Sequence, residues 1–174
     1  RLIMFRRLSS LLFASLYALA MTGCISINLP YLREERPNPL IVEREFRAIW
    51  VATVSNIDWP SKPGLDSRKQ RAEAIAILDS ATALGINAVI IQIRPQCDAL
   101  YNSKIEPWSH FLSGEQGKPP QPPYDPLSFW IHEAHYRGLE LHAWFNPYRA
   151  HHPHGGKISE YSIIRQRPEL TVKL

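Results

Sequence analysis

One cycle repeats along this chain: an apolar run closing in a polar residue and proline, a loop, a capped amphipathic segment, and a glycine handing over to the next apolar run. Glu45 to Val54 (EFRAIWVATV) is nearly continuous in β-forming residues, as expected of a strand covered on both faces in a parallel sheet. After Pro60, Pro63 and Gly64, Asp66 or Ser67 can cap a helix running to Leu84, with Ala72, Ile75, Leu78 and Thr82 on one face. Gly85 stops it, and Ile86 is the apolar partner of a Schellman-type end. Ala88 to Ile93 (AVIIQI) is the next strand and closes in Arg94-Pro95. Asp125-Pro126 then supplies an N-cap and N1 proline for a helix to Arg137, Gly138-Leu139 ends it, and Leu141 to Phe145 (LHAWF) closes in Asn146-Pro147.

This order specifies βαβ units and a parallel sheet. Doubly wound sheets share it. The barrel is favoured because the long decorated segments follow strands, where (β/α)₈ enzymes place their active-site loops, and because no glycine-rich phosphate loop follows the first strand. Such a barrel takes roughly 250 residues, so 174 residues supply its first three to four βα units. The expectation is an α/β fold with a truncated (β/α)₈ TIM-type barrel over residues 45–174, its further strands beyond Leu174.

The first 44 residues read differently. Arg6 and Arg7 precede the apolar stretch Leu8 to Met21, and Met21-Thr22-Gly23-Cys24 resembles a lipobox, the order of a secretory signal. Residues 1–23 are therefore expected to be a lipoprotein signal peptide, with Cys24 diacylated and holding the protein to a membrane. Residues 24–44, with Pro30, Pro37, Pro39 and the run Arg33-Glu34-Glu35-Arg36, form an extended tether. Arg1, Arg6 and Arg7 lie before Cys24 and no acid does, so of the net charge of +4 about +1 remains after it. A nucleic-acid partner is not expected. With Cys24 lipidated, Cys97 is the one thiol left, which excludes a disulfide framework; it reads as a small buried residue.

The strand ends bring polar and aromatic groups together: Asn56, Asp58 and Trp59 after the first strand, Gln92, Arg94, Asp98 and Tyr101 around the second, Trp144, Asn146, Tyr148 and Arg149 around the third. Sugars are bound in this way, the apolar face of a pyranose stacking on an aromatic ring and its hydroxyls meeting planar amide, carboxylate and guanidinium groups. Trp50 and Trp130, inside elements, read as core residues, whereas Trp59 and Trp108, in loops beside Pro60 and Pro107, are candidates for stacking.

His151-His152-Pro153-His154 invites a metal reading. Histidines packed on a loop without a nearby carboxylate lack the geometry of a zinc site, so neither metal nor cofactor is expected. His132 and His135 suit solvent or packing, and His142, mid-strand, reads as a hydrogen-bonded core residue. Glycoside hydrolysis normally needs two carboxyl groups flanking the scissile bond. Asp58 and Asp98 are the carboxylates near strand ends, and binding or supporting roles suit them better than catalysis.

The blocks EFRAIWVA with Asn56-Ile57-Asp58-Trp59-Pro60, Gln92-Ile93-Arg94-Pro95 with Asp98-Ala99-Leu100-Tyr101, Pro107-Trp108-Ser109, Tyr124-Asp125-Pro126-Leu127 and Gly138-Leu139-Glu140-Leu141-His142-Ala143-Trp144-Phe145-Asn146-Pro147-Tyr148-Arg149 together resemble the glycosyl-hydrolase-like 10 family. The resemblance implies a (β/α)₈ barrel in an exported enzyme that cuts a cell-wall glycan, with peptidoglycan strands stripped of peptide as substrate and the outer membrane, facing the periplasm, as location. It carries over a glycan-binding cleft resting on Asp58, Trp59, Gln92, Arg94, Asp98, Tyr101, Asn146, Tyr148 and Arg149. The family's acidic cluster, after its fourth strand, has no counterpart before Leu174, so the catalytic residues are expected further along. Two other readings compete: a lectin-like lipoprotein that anchors to wall glycan without cutting it, and a metal-dependent polysaccharide deacetylase.

Overall fold

Asp66 begins the first helix as its spacing predicts, its side chain accepting from Arg68 N in a computed structural model that describes residues 45–173. The expected signal peptide and tether, with Cys24, lie outside the described residues. The chain runs through β1 (Ala48–Val51), α1 (Ser67–Ala83), β2 (Ala88–Arg94), the single-turn α2 (His110–Ser113), α3 (Pro126–Tyr136), β3 (Glu140–Phe145) and the single-turn α4 (Ile163–Gln166). Both long helices end in Schellman geometry, as predicted for the first. Ile86 N reaches Ala81 O and Leu139 N reaches Ala134 O, each across a glycine with φ of +72°.

The strands lie parallel in the order β1-β2-β3, with Trp50 beside Ile90 and Ile90 beside His142. Alternation sends Val51, Val89, Ile91 and Ile93 to one face, where they join Ala74, Leu78 and Ala81 of α1 and Trp130 and Ala134 of α3 in a common core. Each buried leucine or isoleucine contributes about 1.5–3 kcal/mol relative to exposure. The burying stripe of α1 is Gln70, Ala74, Leu78 and Ala81. Of the predicted stripe only Leu78 is fully buried, because Ala72 and Thr82 turn to solvent.

The opposite face is different. Trp50 is 62% exposed, stacked edge-on with Trp144 at 5.2 Å, and Phe46 meets the ring of His142 in the same way at 5.6 Å. Trp50 and His142 are therefore not core residues here, contrary to expectation, since α1 and α3 cover only the other side of the sheet. His142 instead approaches Glu140 Oε2 at 3.2 Å. The described residues form an open three-stranded sheet, and the closed barrel is not seen among them.

Candidate functional site

The strand ends set the site. Past Val51 the backbone leaves β2, and the Gln92 side chain replaces the lost ladder: its Oε1 accepts from Thr53 N at 3.1 Å and Val54 N at 2.9 Å, while Thr53 Oγ1 donates to Gln92 O. Gln92 is fully buried, and its Nε2 is an unpartnered buried donor. Ser55 and Asn56 follow with φ of 54° and 52°, a left-handed pair that non-glycine residues adopt at a cost. Asn56 Nδ2 holds the turn by donating to Pro60 O and Phe111 O. Asp58 Oδ2 closes the same loop on Ala52 N at 2.7 Å.

Trp59 is fully buried. Its Nε1 donates to Gln70 O and its ring packs edge-on against Trp130 at 5.3 Å. The stacking role expected from its loop position is thus corrected: the loop folds back over α1, and this indole belongs to the core. Trp108, the other loop tryptophan, is half-buried beside a surface cleft.

Arg94, at the end of β2, directs its guanidinium to Glu106, with Nε 2.9 and 2.8 Å from the two carboxylate oxygens and Nη2 also on Oε1. Nη1 donates to Asn146 O and Nη2 to Cys97 Sγ. The two side chains are 15% and 17% exposed, and the Glu106 carboxylate beside it holds the Arg94 charge well above its ordinary range. Asn146 N and Nδ2 donate to Arg94 O and Pro95 O. The ends of β2 and β3 are therefore locked together, with the buried Cys97 behind them and its thiol pushed up by burial. Arg149 reaches Pro95 O at 3.4 Å, and Tyr148 stands 94% exposed on this rim.

Beneath the rim lies a buried polar network. Asp98 is fully buried, its Oδ2 accepting from Gln96 Nε2 at 2.7 Å and Gln116 Nε2 at 3.2 Å while Oδ1 has no partner. Burial is the largest influence on its carboxyl and pushes it up, outweighing the hydrogen bonds to it. The amide oxygens face outward: Gln96 Oε1 takes His152 N and Gln116 Oε1 takes Ser159 N. Asp98 thereby ties the loop after β2 to the segment after β3. Gly155 and Gly156 allow that approach, since a Cβ would fall 2.6 Å from Gln96 Oε1 at the first and 2.2 Å from the His110 ring at the second. Ser55 Oγ lies 3.3 Å from His154 Nδ1 and 3.5 Å from His152 Nδ1. Burial and the Arg149 charge lower the His152 pKa.

Of the expected residues, the fold brings Arg94, Asn146, Tyr148 and Arg149 to a common rim. Asp58, Trp59, Gln92 and Asp98 are engaged internally, and Tyr101 packs half-buried against the core. Glu106, Gln96 and Gln116 were not expected. Glu106 carries a signal, an acid beside Pro107-Trp108 in the loop that an arginine opens, whereas the glutamines carry none outside their tertiary partners.

Over residues 45–173 the sequence matches the glycosyl hydrolase-like 10 family. It is 47% identical over 149 residues to the glycosyl hydrolase YngK of Bacillus subtilis, covering 84% of this chain and 28% of that protein. It is 45% identical over 131 residues to the glycosyl hydrolase DigH of Escherichia coli K12, covering 70% of this chain and 29% of the relative. The chain thus spans less than a third of either relative. With the matched region coinciding with the described residues, the chain belongs to the glycosyl hydrolase-like 10 family.

Proposed function

We propose that this chain forms the amino-terminal units of a (β/α)₈ barrel whose strand ends bind a cell-wall glycan for hydrolysis, with peptide-free peptidoglycan strands as substrate. The observation that carries the reading is the rim at the ends of β2 and β3, where Arg94, Asn146, Tyr148 and Arg149 gather. Residues at the carboxyl ends of barrel strands are held by the sheet yet reach a substrate. The names of the two relatives point to the same chemistry.

The division of labour follows from the carboxylates. Hydrolysis needs an acid and a nucleophile or base on either side of the glycosidic bond, about 5–5.5 Å apart for retention and about 6.5–9.5 Å for inversion. Asp98 is sealed in amides, Glu106 is bound to Arg94, and Asp58 spends Oδ2 on Ala52 N of its own loop, so this segment presents no opposed pair of free carboxylates. The catalytic carboxylates belong to later barrel units, and this segment supplies glycan subsites. Asn146 and Arg94 position the rim, while Arg149 and Tyr148 present a cation and an aromatic ring to the sugar.

A protein of the relatives' length, incubated with peptide-free glycan strands, should release new reducing ends. Arg149→Ala and Tyr148→Ala should each lower kcat/KM about tenfold with little change in Tm. Binding of strands without any release would favour the anchoring lectin-like reading, and acetate release dependent on zinc the deacetylase reading. Export is part of the proposal: labelled palmitate should enter at Cys24, and unchanged labelling in Cys24→Ala would remove the lipid anchor and the outer-membrane placement that rests on it.

A further inference from the structure

A concavity lies beside the rim, at Glu106. It is a cleft of about 340 Å³ between the loop after β2 and the segment leading into α4, with Lys104, Glu106, Trp108, Gly117, Tyr161 and Gln166 among its walls. Its walls are fixed by backbone bonds. Ala99 N binds Pro107 O, Ser109 N binds Ala99 O, and Gly117 N binds Trp108 O at 2.8 Å, so the backbone that carries the indole is held on both sides. Ser103 Oγ accepts from Ile105 N and Glu106 N, which sets the turn that presents Lys104. Gly117, at φ +95°, has no Cβ to push against Ser159 Oγ, 3.0 Å from where one would sit, and Tyr161 can lie close beside it.

The charge in this cleft is one-sided. Arg94 neutralises Glu106 from behind, whereas Lys104 makes no ion pair among the described residues. Two aromatic residues, Trp108 half-buried against the core and Tyr161 59% exposed, line this cleft together with an amide and an ammonium that has no ion-pair partner among the described residues. Aromatic rings take the apolar face of a sugar, the amide takes its hydroxyls, and the ammonium selects a carboxylate.

We propose that this cleft is a distal glycan subsite that selects a sugar bearing a carboxylate, with Trp108 and Tyr161 as stacking surfaces and Lys104 as the charge-reading residue. It rests on the glycan reading above and adds where the strand continues and which of its sugars is recognised there. Peptide-free peptidoglycan strands suit it, since alternate sugars carry a lactyl carboxylate.

The test is binding to a protein of the relatives' length, with two probes: peptide-free strands, and the same strands with their carboxylates reduced to alcohols. Wild type should bind the acidic strands about tenfold more tightly than the reduced ones. Lys104→Gln should erase that preference, weakening the acidic strands alone, and Trp108→Ala should weaken both by about tenfold. Lys104 is exposed, so its variant keeps the test open if loss of the Trp108 indole disturbs the loop. Equal preference in wild type and Lys104→Gln, with strands still bound, overturns this subsite and leaves the glycan reading standing. No binding of either probe by wild type overturns both.

Discussion

The two faces of the sheet were built from similar residues and ended in opposite conditions. On one, Val51, Val89, Ile91 and Ile93 disappear beneath α1 and α3, and Trp59 and Trp130 meet edge-on at zero exposure. On the other, Trp50 and Trp144 also meet edge-on, at nearly the same separation, yet Trp50 is 62% exposed. The same pair geometry is sealed in one case and open in the other. An exposed row of tryptophan, phenylalanine and histidine on a parallel sheet is a surface for which a partner is expected, because parallel sheets are stable when both faces are covered. We read the bare face as the interior of the barrel, to be filled by side chains of later strands.

That contrast is broken most forcefully from the sealed side. Trp59→Ala should cost about 3–5 kcal/mol in urea unfolding, since it opens a cavity against Trp130 and leaves Gln70 O without its donor. A loss under about 1 kcal/mol would mean that the loop after β1 is not part of the core.

The lock between β2 and β3 comes next. Arg94→Ala leaves Glu106 without its partner in a largely buried place and should cost about 3 kcal/mol of stability. The double variant Arg94→Met, Glu106→Leu should recover most of that loss, because it removes both charges. If instead Arg94→Ala keeps wild-type stability and loses kcat/KM, Arg94 meets the glycan directly and Glu106 is not its partner.

The smallest expected effect is the pH response of Asp98. Burial raises its folded pKa above the unfolded value, so the folded state holds the proton more tightly. Stability from this group is complete below the unfolded carboxylate range of about 3.9 and declines as pH rises through the raised folded value. Relative to Asp98→Asn, the wild-type Tm should therefore fall as pH rises above about 4. A wild type that gains on the variant as pH rises would show that the Gln96 and Gln116 amides outweigh burial.

Much of the frame was legible because it is written in local chemistry. Asp66 and Asp125 cap their helices, Gly85 and Gly138 end them, and the strands fall where the apolar runs lie, although β1 is shorter than its run. The stripe of α1 was misjudged because Gln70, a polar residue, is fully buried: its Nε2 serves Leu65 O and Leu112 O, partners that exist only after the loops fold. The site was legible to the extent that it depends on strand ends. Arg94 and Asn146 end β2 and β3 as expected, but their side chains are spent on Glu106, Asn146 O and Pro95 O, Trp59 became core, and the Asp98 network is assembled from glutamines whose partners lie far along the chain. Trp50 and His142 read as interior because an apolar strand is expected to be covered on both faces, whereas the helices of the described residues cover one.

That last point yields the most direct test of the barrel reading. In a protein of the relatives' length, Trp50→Ala should lower unfolding free energy by about 3 kcal/mol or more, the cost of removing a buried aromatic side chain. A change within about 0.5 kcal/mol, as for a surface substitution, would show that this face stays open in the longer protein and contradict the barrel.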